Sequence, residues 1–185
     1  MNASDGLPAA RYPRTAVLLH WVVALSIIAL FATGWYMVGI AKNTPERAFF
    51  FNLHKSVGIV TAIFILALIV WRVRHDAPPL PSAMPKWEKL AAAVNHRLFY
   101  ILMVVATLAG YLTSSFSKYG PKVLGVPLPH WGWDDAALRG NFVVVHRDTA
   151  WVFAVLIVIH IAAALKHLVW DVDGVFQRMF PGERV

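Results

Sequence analysis

Four long apolar runs set the pattern of the chain, at residues 15–38, 49–73, 90–113 and 142–169, and the charged residues cluster between them. Each run approaches or exceeds the roughly 20 apolar residues that carry a helix across a bilayer. None shows the period-two alternation of a half-buried strand. The pattern therefore predicts an all-α, integral membrane four-helix bundle. The turn AKNTPER separates the first two helices, with Asn43, Thr44 and Pro45 as breakers. HDAPPLPSAMPKWEK, stiffened by four prolines, separates the second from the third. The segment 117–140 before the fourth helix is too long for a simple connection and reads as a functional loop or lid. Within it, Asp134 is expected to cap a short helix ending before Gly140.

The polar positions inside the apolar runs carry the chemistry. The fourth run, NFVVVHRDTAWVFAVLIVIHIAAALKHLVW, holds His146 and His160 fourteen residues apart. At about 100° per residue the two return to within about 40° of one helix face, and at ~1.5 Å rise they lie about 21 Å apart along the axis. An imidazole in hydrocarbon is costly and marks a functional site with a partner. With the helices alternating in direction, His20 lies at the depth of His160, and His54 at the depth of His146. Two bis-histidine sites follow, one above the other inside the bundle.

Three glycines could give a large planar ligand room. Gly34 is fourteen residues after His20, Gly110 is fourteen after His96, and Gly58 is one turn from His54. Small residues also suit plain close packing of membrane helices. His96, at a helix end, reads as interfacial, and His75 and His130 as solvated loop residues. Phe153, midway between His146 and His160, reads as core filler. His167 is one heptad beyond His160, placed to serve a second substrate near the inner site.

Composition adds the class and narrows the cofactor. Hydrophobic residues make up 58% of the 185, and mean hydropathy is +0.58, well above the ~45–50% apolar share of soluble domains. Cysteine is absent, which excludes disulfides, thiolate metal sites and c-type haem attachment. The start of the chain lacks the ordered parts of a signal peptide, so the first span reads as retained. With both ends on one side, that side carries ten Lys or Arg residues, Arg184 among them, and the other carries seven. The excess places both termini in the cytoplasm. Membrane lipid is an expected partner, and nucleic acid is not.

The runs RYPRTAVLLHW, LHKSVG, NHRLFY and VVVHRDTAWVFAVLIVIHIAAALKH resemble the prokaryotic cytochrome b561 family over essentially the whole chain. The resemblance implies a single transmembrane dihaem b-type cytochrome of the bacterial inner membrane, with His20, His54, His146 and His160 as axial ligands. Similar proteins exchange electrons with the quinone pool and include a superoxide:ubiquinone oxidoreductase. On that reading Lys55 and Arg147, beside the outer ligands, neutralise haem propionates. The surplus basic residues Lys118, Lys122 and Arg139 attract an anionic donor such as superoxide, while Lys166 and His167 hold and protonate ubiquinone. An alternative is a haem-bearing membrane anchor relaying electrons for a soluble dehydrogenase. A metal transporter fits less well, because Asp148 is the one carboxylate near the histidines.

Overall fold

A computed structural model describes residues 11–180; residues 1–10, which bear on the signal-peptide reading, and Arg184 lie outside the described residues. Four helices organise the chain: α1 (Arg14–Gly39), α2 (Pro45–Arg74), α3 (Lys86–Ser115) and α4 (Ala136–Lys166). All four are long and apolar enough to cross a membrane. Their large apolar side chains mostly face outward, Leu25 at 60% exposure and Ile63 at 65% among them. A helix that is apolar all round needs lipid or protein on every side.

The helix ends extend beyond the apolar runs because the flanking residues are capping residues rather than loop. Thr44 accepts a hydrogen bond from the Arg47 backbone N–H at 3.2 Å, and Pro45 takes the first helical position, where its missing N–H costs nothing. The breakers that end α1 therefore also start α2, four residues before Phe49. At α4, Asp135 rather than Asp134 is the cap: its Oδ1 accepts from the N–H groups of Ala137 and Leu138 at 2.9 and 3.0 Å. The separate short helix expected before Gly140 is instead the first turn of α4 itself. Gly140 continues the helix with open space where a side chain would sit.

α1 packs along α2, and α3 along α4, with a lighter α2–α3 seam. α1 and α4 meet through long side chains: Phe31 on Phe153 at 6.4 Å between ring centres, and Trp35 on Trp151 at 5.8 Å. The core at mid-bundle takes one buried residue from each helix: Val23, Ile65, Met103 and Phe153. Phe153 is thus core filler, and it separates two levels of histidines.

Two further segments cover the ends of the bundle. The long loop forms a small hairpin, β1 (Lys122–Val123) against β2 (Val126–Pro127). Leu124 and Gly125 turn it with φ of 49° and 86°, the left-handed pair that a two-residue hairpin demands. Leucine is strained there, and its N–H is held by Ser56 Oγ of α2 at 2.9 Å. At the other end α4 widens into a π turn, His167–Asp171, followed by the 3-10 turn Phe176–Met179. Trp21 Nε1 donates to the Met179 carbonyl at 2.7 Å, and Arg178 Nη1 to that of Pro79 at 2.7 Å. The described C-terminal segment therefore lies against the start of α1 and the α2–α3 linker, all at one end of the bundle.

Candidate functional site

At one level, away from that end, the His54 ring of α2 meets the His146 ring of α4 with centres 6.1 Å apart. Their hydrogen bonds fix their protons. His146 Nδ1 lies 2.7 Å from the Ala106 carbonyl of α3, which can only accept, so Nδ1 carries the proton and Nε2 a bare lone pair. His54 Nδ1 lies 3.1 Å from Thr33 Oγ1, and the Thr33 hydroxyl gives its own proton to the Ala29 carbonyl at 2.7 Å. Thr33 therefore accepts from His54, and His54 Nε2 is bare as well. One ring nitrogen bonded outward and the other free is the arrangement of metal-bound histidine.

The glycines bear on this geometry unequally. A Cβ at Gly110 would stand 3.1 Å from His146 Cε1, and one at Gly34 would stand 3.3 Å from His54 Cε1. Each glycine thus makes room for an imidazole ring. Gly58 instead faces Leu30 at an ordinary 3.8 Å, in the α1–α2 seam.

At the other level the His20 and His160 rings lie 6.4 Å apart. His20 Nδ1 is buried and has no hydrogen-bond partner, an orphan of the kind that marks a missing ligand or neighbour. His96, read from sequence as interfacial, lies beside this pair, its ring 5.5 Å from that of His160. Its Nδ1 donates to the Ala92 carbonyl at 2.7 Å. The spacing that sets Gly110 fourteen residues from His96 carried the signal: Gly110 faces one histidine level, so His96 faces the other.

Both pairs pass a simple test of fit to a bis-imidazole metal. Two imidazole–metal bonds of about 2 Å, extended by about 1 Å from nitrogen to ring centre on each side, separate the ring centres by roughly 6 Å. The observed 6.1 and 6.4 Å agree.

The charged candidates are distributed differently from their sequence neighbours. Lys55 is close enough to Lys122 of the hairpin for the two ammonium groups to act on each other, and neither pairs with a carboxylate among the described residues. Arg147 turns outward, 60% exposed, and pairs with Asp148 at 2.8 Å; helix rotation carries it away from the ring of its neighbour His146. Lys166 Nζ bridges Glu88 at 3.0 Å and Asp171 at 2.6 Å, while His167 Nδ1 lies 3.0 Å from Asp171 and 2.9 Å from Asp173. Glu88, His167 and Asp171 are close enough to share a metal ion, but the cation seated among these carboxylates is the Lys166 ammonium. The sequence reading missed these acidic partners because they come from α3 and from the turn after α4.

A family model described as prokaryotic cytochrome b561 matches residues 11–182. This chain belongs to the prokaryotic cytochrome b561 family. Cytochrome b561 homolog 2 of Escherichia coli (strain K12) is 32% identical, over 91% of this chain and 90% of its own length. Cytochrome b561 homolog 1 of the same organism is 24% identical, over 92% of this chain and 97% of its own. As a cytochrome b561 the chain is a multi-pass bacterial membrane protein and an electron-transfer oxidoreductase of a family that binds b-type haem.

Proposed function

We propose that this cytochrome b561 holds two b-type haems, one between His54 and His146 and one between His20 and His160, and carries electrons between a small outer-side donor, superoxide, and ubiquinone. The observation that carries the reading is the outer pair: two bare Nε2 lone pairs at a ring spacing that suits one metal ion, each fixed by a bonded Nδ1–H. A haem held there by His54 and His146 would supply a one-electron couple suited to electron transfer rather than oxygen binding. The chain's own residues hold and space the two sites. Ala106 and Thr33 orient the outer rings, and Phe153 fills the gap between levels.

The excess of inner-end Lys and Arg supports termini in the cytoplasm and the bacterial inner membrane as the location. Lys55 and Lys122, free of carboxylate partners among the described residues, support an anionic donor on the outer side. On the inner side Asp171 and Asp173 hold His167 Nδ1, which leaves Nε2 as the atom able to hydrogen-bond a quinone oxygen, beside Lys166. The test is a visible spectrum and haem assay of the purified protein, followed by mixing with superoxide and with a soluble ubiquinone analogue. Reduced b-type bands with two haems per chain are expected, together with reduction by the first reagent and reoxidation by the second. One haem per chain, or none, refutes the reading.

A further inference from the structure

Arg178 is 6% exposed, the one charged residue in the buried class among the described residues. Its Nη1 donates to the Pro79 carbonyl at 2.7 Å, but its Nε is buried with no acceptor, as the Gln177 Oε1 beside it is buried with no donor. No carboxylate stands within ion-pairing distance among the described residues. A buried guanidinium with one neutral partner is strongly unfavourable unless an anion completes it. The chain also accepts strain to bring it there. Val172 is a β-branched residue at φ 48°, a rare conformation for its type. Asp173 clamps the turn, its Oδ1 accepting from the Val175 N–H at 3.0 Å and its Oδ2 from His167 Nδ1 at 2.9 Å. Backbone strain held by such clamps collects at functional sites.

The place of the tail identifies the anion. Trp21 donates to the carbonyl of Met179, the residue after Arg178, and its ring also touches Phe180 and lies edge-on to His20, at 5.3 Å in each case. The tail therefore packs on Trp21, whose ring stands beside that of His20 at the inner level. Arg178 is closed off from the surrounding bilayer, whereas a carboxylate carried by a group held at His20 and His160 would reach it from within the bundle. We propose that Arg178 binds a propionate carboxylate of the inner haem, so that residues 172–180 form part of the inner cofactor site. The pairing rests on the proposed role of His20 and His160. A planar guanidinium suits a carboxylate, which can accept two parallel hydrogen bonds from it.

Arg178→Gln and Arg178→Lys, made in the full chain and placed in lipid nanodiscs with and without anionic lipid, test the pairing by redox titration. Removing a positive charge beside a haem favours the oxidised form, so Arg178→Gln should keep both haems and lower the inner potential alone. The expected shift is about tenfold in the sharing of an electron between the two haems, about 59 mV for a one-electron couple. Arg178→Lys should restore most of it. Unchanged potentials with both haems bound, an equal shift in both, or a shift confined to anionic lipid overturns the pairing. If Arg178→Gln loses the inner haem, the unsubstituted chain loaded with haem dimethyl ester decides. A tail opened to protease by esterification supports the pairing, and a tail as protected as with ordinary haem overturns it. A purified chain without haem would refute the ligand reading instead.

Discussion

Alanine at the three glycines should act in the order Gly110, Gly34, Gly58, and the reason is the distance at which each new Cβ would stand. In a helix interior the substitution alone is favourable by about 1 kcal/mol. At Gly58 the added methyl meets Leu30 at 3.8 Å, so little opposes that gain. At Gly110 it stands 3.1 Å from His146 Cε1 and 3.2 Å from Nδ1, several tenths of an ångström inside ordinary contact. The ring has little freedom to retreat, because its Nδ1 is bonded to the Ala106 carbonyl at 2.7 Å. Swinging away stretches a bond worth about 1 kcal/mol net, and more where water is excluded, and it changes the direction of Nε2. Disturbing the groups that orient a metal-bound histidine typically costs roughly 10–100-fold in affinity. Gly110→Ala should therefore weaken outer haem binding by that factor, Gly34→Ala by less, and Gly58→Ala not at all. Haem content and redox titration of the three purified variants provide the assay. Gly110→Ala with an outer haem as tightly bound as in Gly58→Ala would refute the reasoning.

Replacing His20 or His160 by Ala should remove one redox component and replacing His54 or His146 the other; a crossed result, with His20→Ala and His146→Ala losing the same component, breaks the pairing by level. Thr33→Val, which takes away the acceptor of the His54 Nδ1–H, should lower outer haem affinity about tenfold while sparing the inner haem, as a haem titration of the two components would reveal. His167→Ala should keep both haems and slow reoxidation by a ubiquinone analogue at least tenfold in stopped flow, and normal kinetics would remove His167 from the quinone site. Reduction by superoxide should slow as salt rises, since charges are screened over ~8 Å at physiological ionic strength, and should slow again in Lys118→Glu with an unaltered spectrum. Indifference to both would favour the membrane-anchor reading.

How much of this was legible in sequence depends on whether a feature repeats along one helix or is assembled from several. The spans and the histidine levels follow from spacing alone, because a helix turns by a fixed angle and a bilayer fixes its length. The meeting of His54 with His146 and of His20 with His160 is of this kind. The fourteen-residue relation of His96 to Gly110 is equally legible, although nearness to a helix end points His96 to the interface and only its helix face points to the inner level. What spacing cannot give is a partner from another element. The Ala106 carbonyl that orients His146 is an ordinary helix backbone group. Glu88 reaches Lys166 across 78 positions, and Arg178 reaches Pro79 across 99. Adjacency in sequence is likewise no measure of direction: Arg147 stands about 100° around the helix from His146, pairs with Asp148 and is exposed. The two levels consequently differ in completeness. Both outer rings are held from α1 and α3, whereas among the described residues the inner level keeps an unpartnered His20 Nδ1 and a third imidazole. The chain's own hydrogen bonds thus orient the two outer rings more completely than they orient His20.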